Sequence, residues 1–167
     1  MYKSPELLKE QQRRRNNLTK AQKDGLPIIT QFCKDYDIEF SLTEGTVLDW
    51  DGVDYILHFK KEEQDKTITI DLNTAFRVIY SKKKIFFLRY SGAEGGESEA
   101  VKILNDSTKA EIYATYEMST KILRFYKIST IKEWLTAKNR ILHHGYDGSR
   151  YFEIPFKDIK VYREFQM

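Results

Sequence analysis

Residues 53–73 have the sequence VDYILHFKKEEQDKTITIDLN, which contains two runs of alternating apolar residues. The apolar positions are Val53, Tyr55, Leu57 and Phe59 in the first run and Ile68, Ile70 and Leu72 in the second. A period of two places the apolar side chains of each run on one face of a β-strand. Because only the charged segment 60–66 separates the runs, we predict two antiparallel strands joined by a short polar loop.

The segments around this hairpin contain further helix and strand patterns. Apolar residues at helical spacing predict helices over 27–37, 97–104 and 129–142. Shorter apolar runs predict further strands over 85–90, 110–118, 121–128 and 152–159. This order predicts an α/β (α+β) fold in which one domain has a central mixed β-sheet flanked by helices.

The composition excludes several classes of protein. Hydrophobic residues make up 41% of the 167 residues and charged residues 32%, which is typical of a globular domain rather than a disordered chain. The only cysteine, Cys33, excludes an internal disulfide and a zinc site built from several thiolates. Cys33 lies on the apolar stripe of the helix predicted over 27–37, so we expect a buried structural thiol.

Nothing in the sequence predicts a membrane protein or a secreted one. No apolar run approaches the ~18 residues of a membrane-spanning helix, and the polar N-terminus is unlike a signal peptide. We therefore expect a cytoplasmic protein.

The N-terminal segment is rich in positive charge and poor in apolar residues. We predict a basic helical arm over residues 1–25, followed by the α/β domain over 26–167. The helix of this arm is either a solvated surface element or a segment that contacts nucleic-acid phosphates. The candidate nucleic-acid-binding residues are Arg13, Arg14, Arg15 and Lys20 of the arm and Lys82, Lys83 and Lys84 of a basic turn.

Two aspartates lie within the predicted hairpin. Strand alternation places Asp71 and Asn73 on one face, and the hairpin can bring Asp54 to the same face. Two adjacent carboxylates repel each other, and a divalent cation such as Mg²⁺ relieves that repulsion. The alternative interpretation is that Asp54 and Asp71 are ordinary polar residues on the solvated side of the hairpin.

These residues resemble the motif of the PD-(D/E)XK, or restriction-endonuclease-like, nucleases. The segment 53–57 is similar to the first half of that motif and the segment 68–74 to the second half, within a resemblance that spans roughly residues 28–145. The resemblance implies a restriction-endonuclease-like fold and a metal-dependent DNA endonuclease of phage or mobile-element type. It therefore also implies that the cytoplasm is that of a bacterium or of a phage-infected host cell. It implies catalytic roles for Asp54, Asp71 and Asn73, with Mg²⁺ or Mn²⁺ bound by Asp54 and Asp71.

Asn73 departs from the family pattern, which has lysine at this position. An asparagine side chain donates a hydrogen bond but brings no positive charge to the transition state. Three explanations follow: the lysine role has moved to Lys60, Lys84 or Arg89, the protein binds nucleic acid without cleaving it, or the chain is an inactivated variant. The resemblance also implies a helix-borne acidic residue, for which Glu39 and Glu44 are the nearest candidates.

Histidines and aromatic residues give weaker indications of function. Ser129 is the predicted cap of the helix over 129–142, which places His143 and His144 at its C-terminus. There the histidine pair complements the helix dipole or supplies a general base. The aromatic residues of the later strands and helix are expected in the core, with base stacking as the alternative.

The expected partner is DNA, with no membrane, and both a homodimer and a protein partner are compatible with the sequence. Besides a nuclease, the alternatives are a non-catalytic nucleic-acid-binding or inhibitor protein on the same scaffold and a small protein-interaction factor. Metal-dependent cleavage distinguishes the nuclease from the non-catalytic protein, and salt-dependent DNA binding distinguishes both from the protein-interaction factor.

Overall fold

The computed structural model describes residues 5, 6, 9, 25–42, 53–75, 84–91, 99–146 and 148–167, with only the backbone of residues 42 and 73–75. In chain order the elements are α1 (25–35), β1 (Glu39–Leu42), β2 (Tyr55–Lys61), β3 (Gln64–Ala75), β4 (Ile85–Ser91), α2 (Glu99–Leu104), β5 (Ile112–Glu117), β6 (Ile122–Lys127), α3 (Ile128–Thr136), β7 (His143–His144), β8 (Arg150–Pro155), a 3-10 turn (Phe156–Asp158) and β9 (Arg163–Gln166). No helix in these ranges is both long enough and apolar enough to cross a membrane.

Most of the strands form one mixed sheet, which confirms the predicted fold class. Its six strands have the order β1-β2-β3-β5-β6-β9, and a three-stranded sheet has the order β4-β8-β7. In the larger sheet β3 and β5 are parallel, while the other neighbours are antiparallel. A parallel pair requires a long crossover, and here the crossover contains β4 and α2.

The predicted hairpin is confirmed, but its loop is shorter than expected. Strands β2 and β3 are antiparallel, and their pairing continues to Lys61 opposite Gln64. Only Glu62 and Glu63 form the turn, and both have positive φ angles, 53° and 63°. This backbone conformation matches the twist of the flanking strands, so the strands extend into the segment 60–66 that was predicted as a loop.

A packed layer covers each face of the six-stranded sheet. On one face α1 packs Ile29, Phe32 and Cys33 against apolar residues of the strands. On the other face β4, β8, α2 and α3 form a second core that includes Tyr113 and Tyr126 of the sheet. Most of the later aromatic residues that were predicted in the core are buried, namely Tyr113, Phe125, Tyr126, Trp134 and Phe152, whereas Tyr146 is fully exposed. Burial also raises the pKa of the Cys33 thiol to about 11, which fits the predicted structural role.

Several elements in the C-terminal half differ from the sequence prediction. The last helix begins at Ile128 and ends at Thr136, and its N-cap is Lys127, which makes no side-chain capping bond, so the predicted Ser129 cap is wrong. The hydroxyl of Thr136 donates back to the carbonyls of Lys132 and Glu133, and the chain is extended at the next residue.

Three short strands of the structure were not predicted from the sequence. Strands β1 and β9 form the two edges of the large sheet, and each has four residues of mixed polarity, too few for a clear alternating pattern. His143 and His144 form β7, which pairs with β8, so their predicted position at a helix end is wrong. The final predicted strand over 152–159 is observed over Arg150–Pro155.

A buried ionic cluster joins the far ends of β5, β6 and β9. The Glu117 side chain is 3% exposed and accepts from Lys84 Nζ at 3.0 Å and Arg124 Nη1 at 2.9 Å. Arg124 also donates to Glu164 at 3.2 Å. Burial raises the pKa of Glu117, but the hydrogen bonds from Lys84 and Arg124 outweigh burial and lower it overall.

Removing the Glu117 carboxylate is expected to destabilise the fold strongly. Glu117→Ala leaves Arg124 buried without one of its counter-charges, which costs about 3 kcal/mol, the lower limit for a broken buried pair, because Glu164 remains. Asp106→Ala, which breaks the exposed Lys132–Asp106 pair, is the matched control and should cost under about 1 kcal/mol.

Urea unfolding at neutral pH measures both variants. Because the folded pKa of Glu117 lies below its unfolded pKa, its contribution is present at neutral pH and should shrink as the pH falls below about 4.3. Equal losses for the two variants would show that the cluster contributes no more than a surface ion pair.

Candidate metal centre

The start of β2 holds Asp54 beside Asp71 of β3. Tyr55 pairs with Ile70 in the hairpin, and the preceding Asp54 N–H donates to the Ile70 carbonyl oxygen at 2.8 Å. The Leu72 N–H donates to Asp54 Oδ2, also at 2.8 Å. Asp54 is thus fixed by backbone groups on both sides of Asp71, and its carboxyl is positioned by a hydrogen bond to β3.

Asp71 is a buried carboxyl with other acidic groups around it. It is 9% exposed and lies between Ile70 and Leu72, whose side chains face the layer formed by α1. Asp71 therefore faces the opposite layer, toward α2 and β4. Burial raises the pKa of Asp71 well above its usual value, and the charges of Glu99 and Asp54 and a hydrogen bond with the Asp54 carboxyl raise it further. The positive charge of Lys102 acts in the other direction.

Glu99, the first residue of α2, is a third carboxyl near this pair. Its Oε2 accepts from the Tyr113 hydroxyl and from the Arg89 N–H, both at 3.4 Å. Tyr113 is the direct neighbour of Asp71 across the parallel β3–β5 pairing. Burial raises the pKa of Glu99, while Arg89, Tyr113 and Lys102 favour its charged form. Through Tyr113, α2 is therefore connected to the strand that carries Asp71.

The donor atoms of this cluster suit a hard cation. Asp54 and Asp71 offer carboxyl oxygens from neighbouring strands, and a hydrogen bond from Leu72 N–H fixes the Asp54 carboxyl beside Asp71. Within the described ranges, no group of three or more His, Cys, Asp or Glu side chains is arranged to hold a metal ion, so Glu99 does not complete a ligand set. Mg²⁺ is commonly held by one or two carboxylates, with waters and substrate phosphates as its other ligands. An acidic pair fits such a cation, although metal binding stays a prediction.

The structure describes the other predicted catalytic residues only in part. Asn73 lies two residues beyond Asp71 in β3, where its backbone is the register partner of Thr115, and its side chain is outside the described part of the chain. Glu39, one of two candidates for a helix-borne acid, is on β1 and pairs with His58, so a helical position is wrong for this residue. The other candidate, Glu44, is outside the described residues.

Most of the predicted nucleic-acid-binding residues fall outside the described ranges, namely Arg13, Arg14, Arg15, Lys20, Lys82 and Lys83. Lys84 is described, and its ammonium group contacts the buried Glu117 at 3.0 Å while its side chain stays 60% exposed. Part of the Lys84 charge is therefore offset within the protein, which weakens its attraction for phosphate.

The histidine pair does not contribute to the acidic cluster. His143 stacks on Tyr151 with 5.6 Å between ring centroids, and its Nε2 is 4.0 Å from Glu153 Oε2. Both contacts are within the three-stranded sheet, and β7 pairs only with β8 there. These contacts support a local structural role for His143.

Glu99, Lys102 and Tyr113 were not predicted to lie near the two aspartates. The signal for Glu99 and Lys102 was a short predicted helix that begins close to an acidic residue, and that helix is confirmed as Glu99–Leu104. Nothing local indicated that the helix would pack near Asp71, because that contact depends on β5 pairing parallel to β3.

The chain resembles a solved structure, but no protein-family model matches it. No curated protein matches this chain either. Among solved structures, the chain is similar to a nuclease from a fusselovirus, with a TM-score of 0.45 and 14% sequence identity. The match covers 96% of this chain and 89% of the viral one.

Proposed function

We propose that this protein is a divalent-metal-dependent nuclease that hydrolyses phosphodiester bonds in DNA. The observation that carries the proposal is the Asp54–Asp71 pair, in which one carboxyl is buried and the other is fixed beside it by the Leu72 N–H. Keeping two carboxyls together in a buried position costs free energy, and active sites are where such costs are commonly retained. The resemblance to PD-(D/E)XK nucleases supports the same assignment.

Each residue of the site has a distinct role in this proposal. Asp54 and Asp71 hold Mg²⁺ or Mn²⁺, which would activate water and offset charge on the phosphate. Asn73 orients water through its amide. Glu99 and Tyr113 join α2 to β5, the strand next to the one that carries Asp71.

A cleavage assay tests the proposal directly. Single-stranded, duplex and branched DNA are incubated with the protein in Mg²⁺, in Mn²⁺ or in chelator. We expect cleavage of at least one DNA form with metal and none with chelator. Asp54→Asn should abolish cleavage, whereas Asp65→Asn, at the opposite end of the same hairpin, should not. Absence of cleavage with both metals on all three DNA forms would overturn the proposed function.

A second candidate, a nucleic-acid-binding protein without catalysis, is favoured by one residue. Asn73 lacks the charge that a lysine would bring to the transition state. Such a protein would bind DNA equally well with metal and with chelator and would leave the DNA intact. Binding that is insensitive to ionic strength would exclude both candidates, because phosphate contacts weaken steeply with salt.

In either case the basic arm is expected to contribute affinity without sequence preference. Changing Arg13, Arg14 and Arg15 together to Ala should weaken binding to every DNA tested, because contacts to phosphates carry no base information. The slope of log K against log salt should fall by about 1 for each lost phosphate contact. Gel shifts over a salt series measure both effects, and an unchanged slope would mean that the arm does not touch DNA.

A further inference from the structure

The acidic cluster needs a source of positive charge if it is to act on a phosphodiester. Asp54, Asp71 and Glu99 are all acidic, and the attacked phosphate adds further negative charge in the transition state. Position 73 of β3 carries asparagine, which supplies none. This inference rests on the proposed function, which requires a positively charged side chain at the cluster. That side chain must come from a helix or strand other than β3.

The two lysines that the sequence suggested as sources of this charge lie far from the acidic pair. Lys60 pairs with Asp65 beside the turn of the hairpin, six residues from Asp54 and therefore about 20 Å along the strand. Lys84 contacts Glu117, which lies four residues beyond Tyr113 in β5, or about 13 Å from the level of Asp71. Neither lysine is at the position of the acidic pair.

Lys102 on α2 is well placed. It lies three residues after Glu99, which is close to one helical turn, so the two side chains are neighbours on the helix surface. The buried Ala100 and Ile103 fix α2 in the second core. The Tyr113 hydroxyl joins Glu99 to the strand next to Asp71. This chain of contacts places the Lys102 turn of α2 beside the acidic pair.

The electrostatics agree with this placement. The charge of Lys102 acts on both Asp71 and Glu99, whereas the charge of Arg89 acts on Glu99. The positive charge of Lys102 thus acts on a carboxyl of β3 and on a carboxyl of α2. Its half-buried side chain is also long enough to move between a carboxylate and a bound phosphate.

We infer that Lys102 is a catalytic residue of this site and that its ammonium group contacts the scissile phosphate, supplying from α2 the charge that Asn73 does not supply from β3. The ammonium group stabilises negative charge on the phosphate oxygens as the P–O bond to water forms and the P–O bond to the leaving sugar oxygen breaks. The attacking water releases its proton to solvent, and the leaving sugar oxygen takes a proton from solvent.

The test combines cleavage kinetics with metal binding. Lys102→Gln should lower kcat on the order of a hundredfold, the effect of losing one electrostatic stabiliser, while the Kd for DNA stays nearly unchanged. Lys102→Arg should restore much of the loss. Lys60→Gln, which removes the same charge from the far end of the hairpin, is the matched control and should cleave like wild type.

Mn²⁺ binding in the absence of DNA, measured by electron paramagnetic resonance, gives a readout that is independent of cleavage. Removing a cation from beside Asp71 should tighten Mn²⁺ binding severalfold. A purely structural role would instead weaken Mn²⁺ binding together with cleavage. If Lys102→Gln does not fold, Lys102→Met, which keeps the aliphatic stem, is used in its place for both measurements.

The outcomes separate this inference from the proposed function. If wild type cleaves DNA and Lys102→Gln or Lys102→Met cleaves equally well, the role of Lys102 is wrong and the nuclease assignment stands. If a Lys102 variant loses cleavage and Mn²⁺ binding together, Lys102 is a structural residue. If wild type cleaves no DNA with either metal, the nuclease assignment and the role of Lys102 are both overturned.

Discussion

Asp71→Asn is expected to abolish metal-dependent DNA cleavage and at the same time to stabilise the metal-free protein. The loss of activity should be on the order of a hundred- to a thousandfold, because the variant lacks one of the two carboxylates proposed to hold the metal. The amide has nearly the same shape as the carboxyl, so the packing around Asp71 is kept. It can also donate a hydrogen bond to the Asp54 carboxyl.

The gain in stability follows from the direction of the Asp71 pKa shift. Its folded-state pKa is raised, so the folded protein binds this proton more tightly than the unfolded chain does. The contribution of Asp71 is therefore most favourable below its unfolded pKa of about 3.9 and becomes unfavourable as the pH rises toward its folded pKa. Asparagine carries no charge, so the variant avoids this cost at neutral pH.

Thermal unfolding at pH 7 without metal measures this gain. Asp106→Asn is the matched control, because Asp106 is an exposed aspartate whose partner is Lys132, and it should leave the melting temperature nearly unchanged. Adding Mg²⁺ should raise the melting temperature of wild type but not that of Asp71→Asn, because only a protein that binds the ion gains stability from it. An Asp71→Asn protein that still cleaves DNA would remove Asp71 from the site.

Asn73→Lys is expected to raise Mg²⁺-dependent cleavage on the order of a hundredfold. The substitution adds an ammonium group two residues beyond Asp71 in β3, at a backbone position paired with Thr115. If Lys102 supplies the charge in the natural protein, Asn73→Lys should also restore cleavage to Lys102→Gln. Asp71→Asn in the Asn73→Lys background should eliminate the activity again.

Thr67→Lys is a control with the same charge in the same strand. Thr67 is exposed and pairs with His58, away from Asp71, so this lysine should not change cleavage. If Asn73→Lys folds, binds DNA and stays inert with Mg²⁺ and Mn²⁺, the proposed relation to PD-(D/E)XK nucleases would lose its mechanistic support.

The sequence predicted the parts of the fold that depend on local periodicity. The β2–β3 hairpin, the buried helix that carries Cys33 and the β5–β6 hairpin all have strong apolar patterns, and each is present. The proximity of Asp54 and Asp71 also follows from local pairing, since one short turn fixes the register of the two strands.

Features that depend on distant contacts could not be predicted in this way. Nothing in the apolar sequence of β4 indicated that this strand would lie outside the six-stranded sheet and pair with β8. Likewise, α3 was predicted to continue to Leu142 but ends at Thr136, and beyond its end Arg140 stacks on Trp134 and donates to the Trp134 carbonyl. The burial of Asp71 could not be predicted either, because the residues that enclose it lie far along the chain.

The parallel pairing of β3 with β5 also determines when the site can form during folding. The β2–β3 hairpin is local and can form within microseconds, whereas Ile70 meets Ile112 only after a loop of about forty residues closes. We therefore expect the two aspartates to come together early in folding, while both are still hydrated, and to be enclosed late. A nascent chain that has emerged only as far as Ala75 contains both acidic residues but lacks the enclosed centre, so we expect nuclease activity to appear only once the domain is complete.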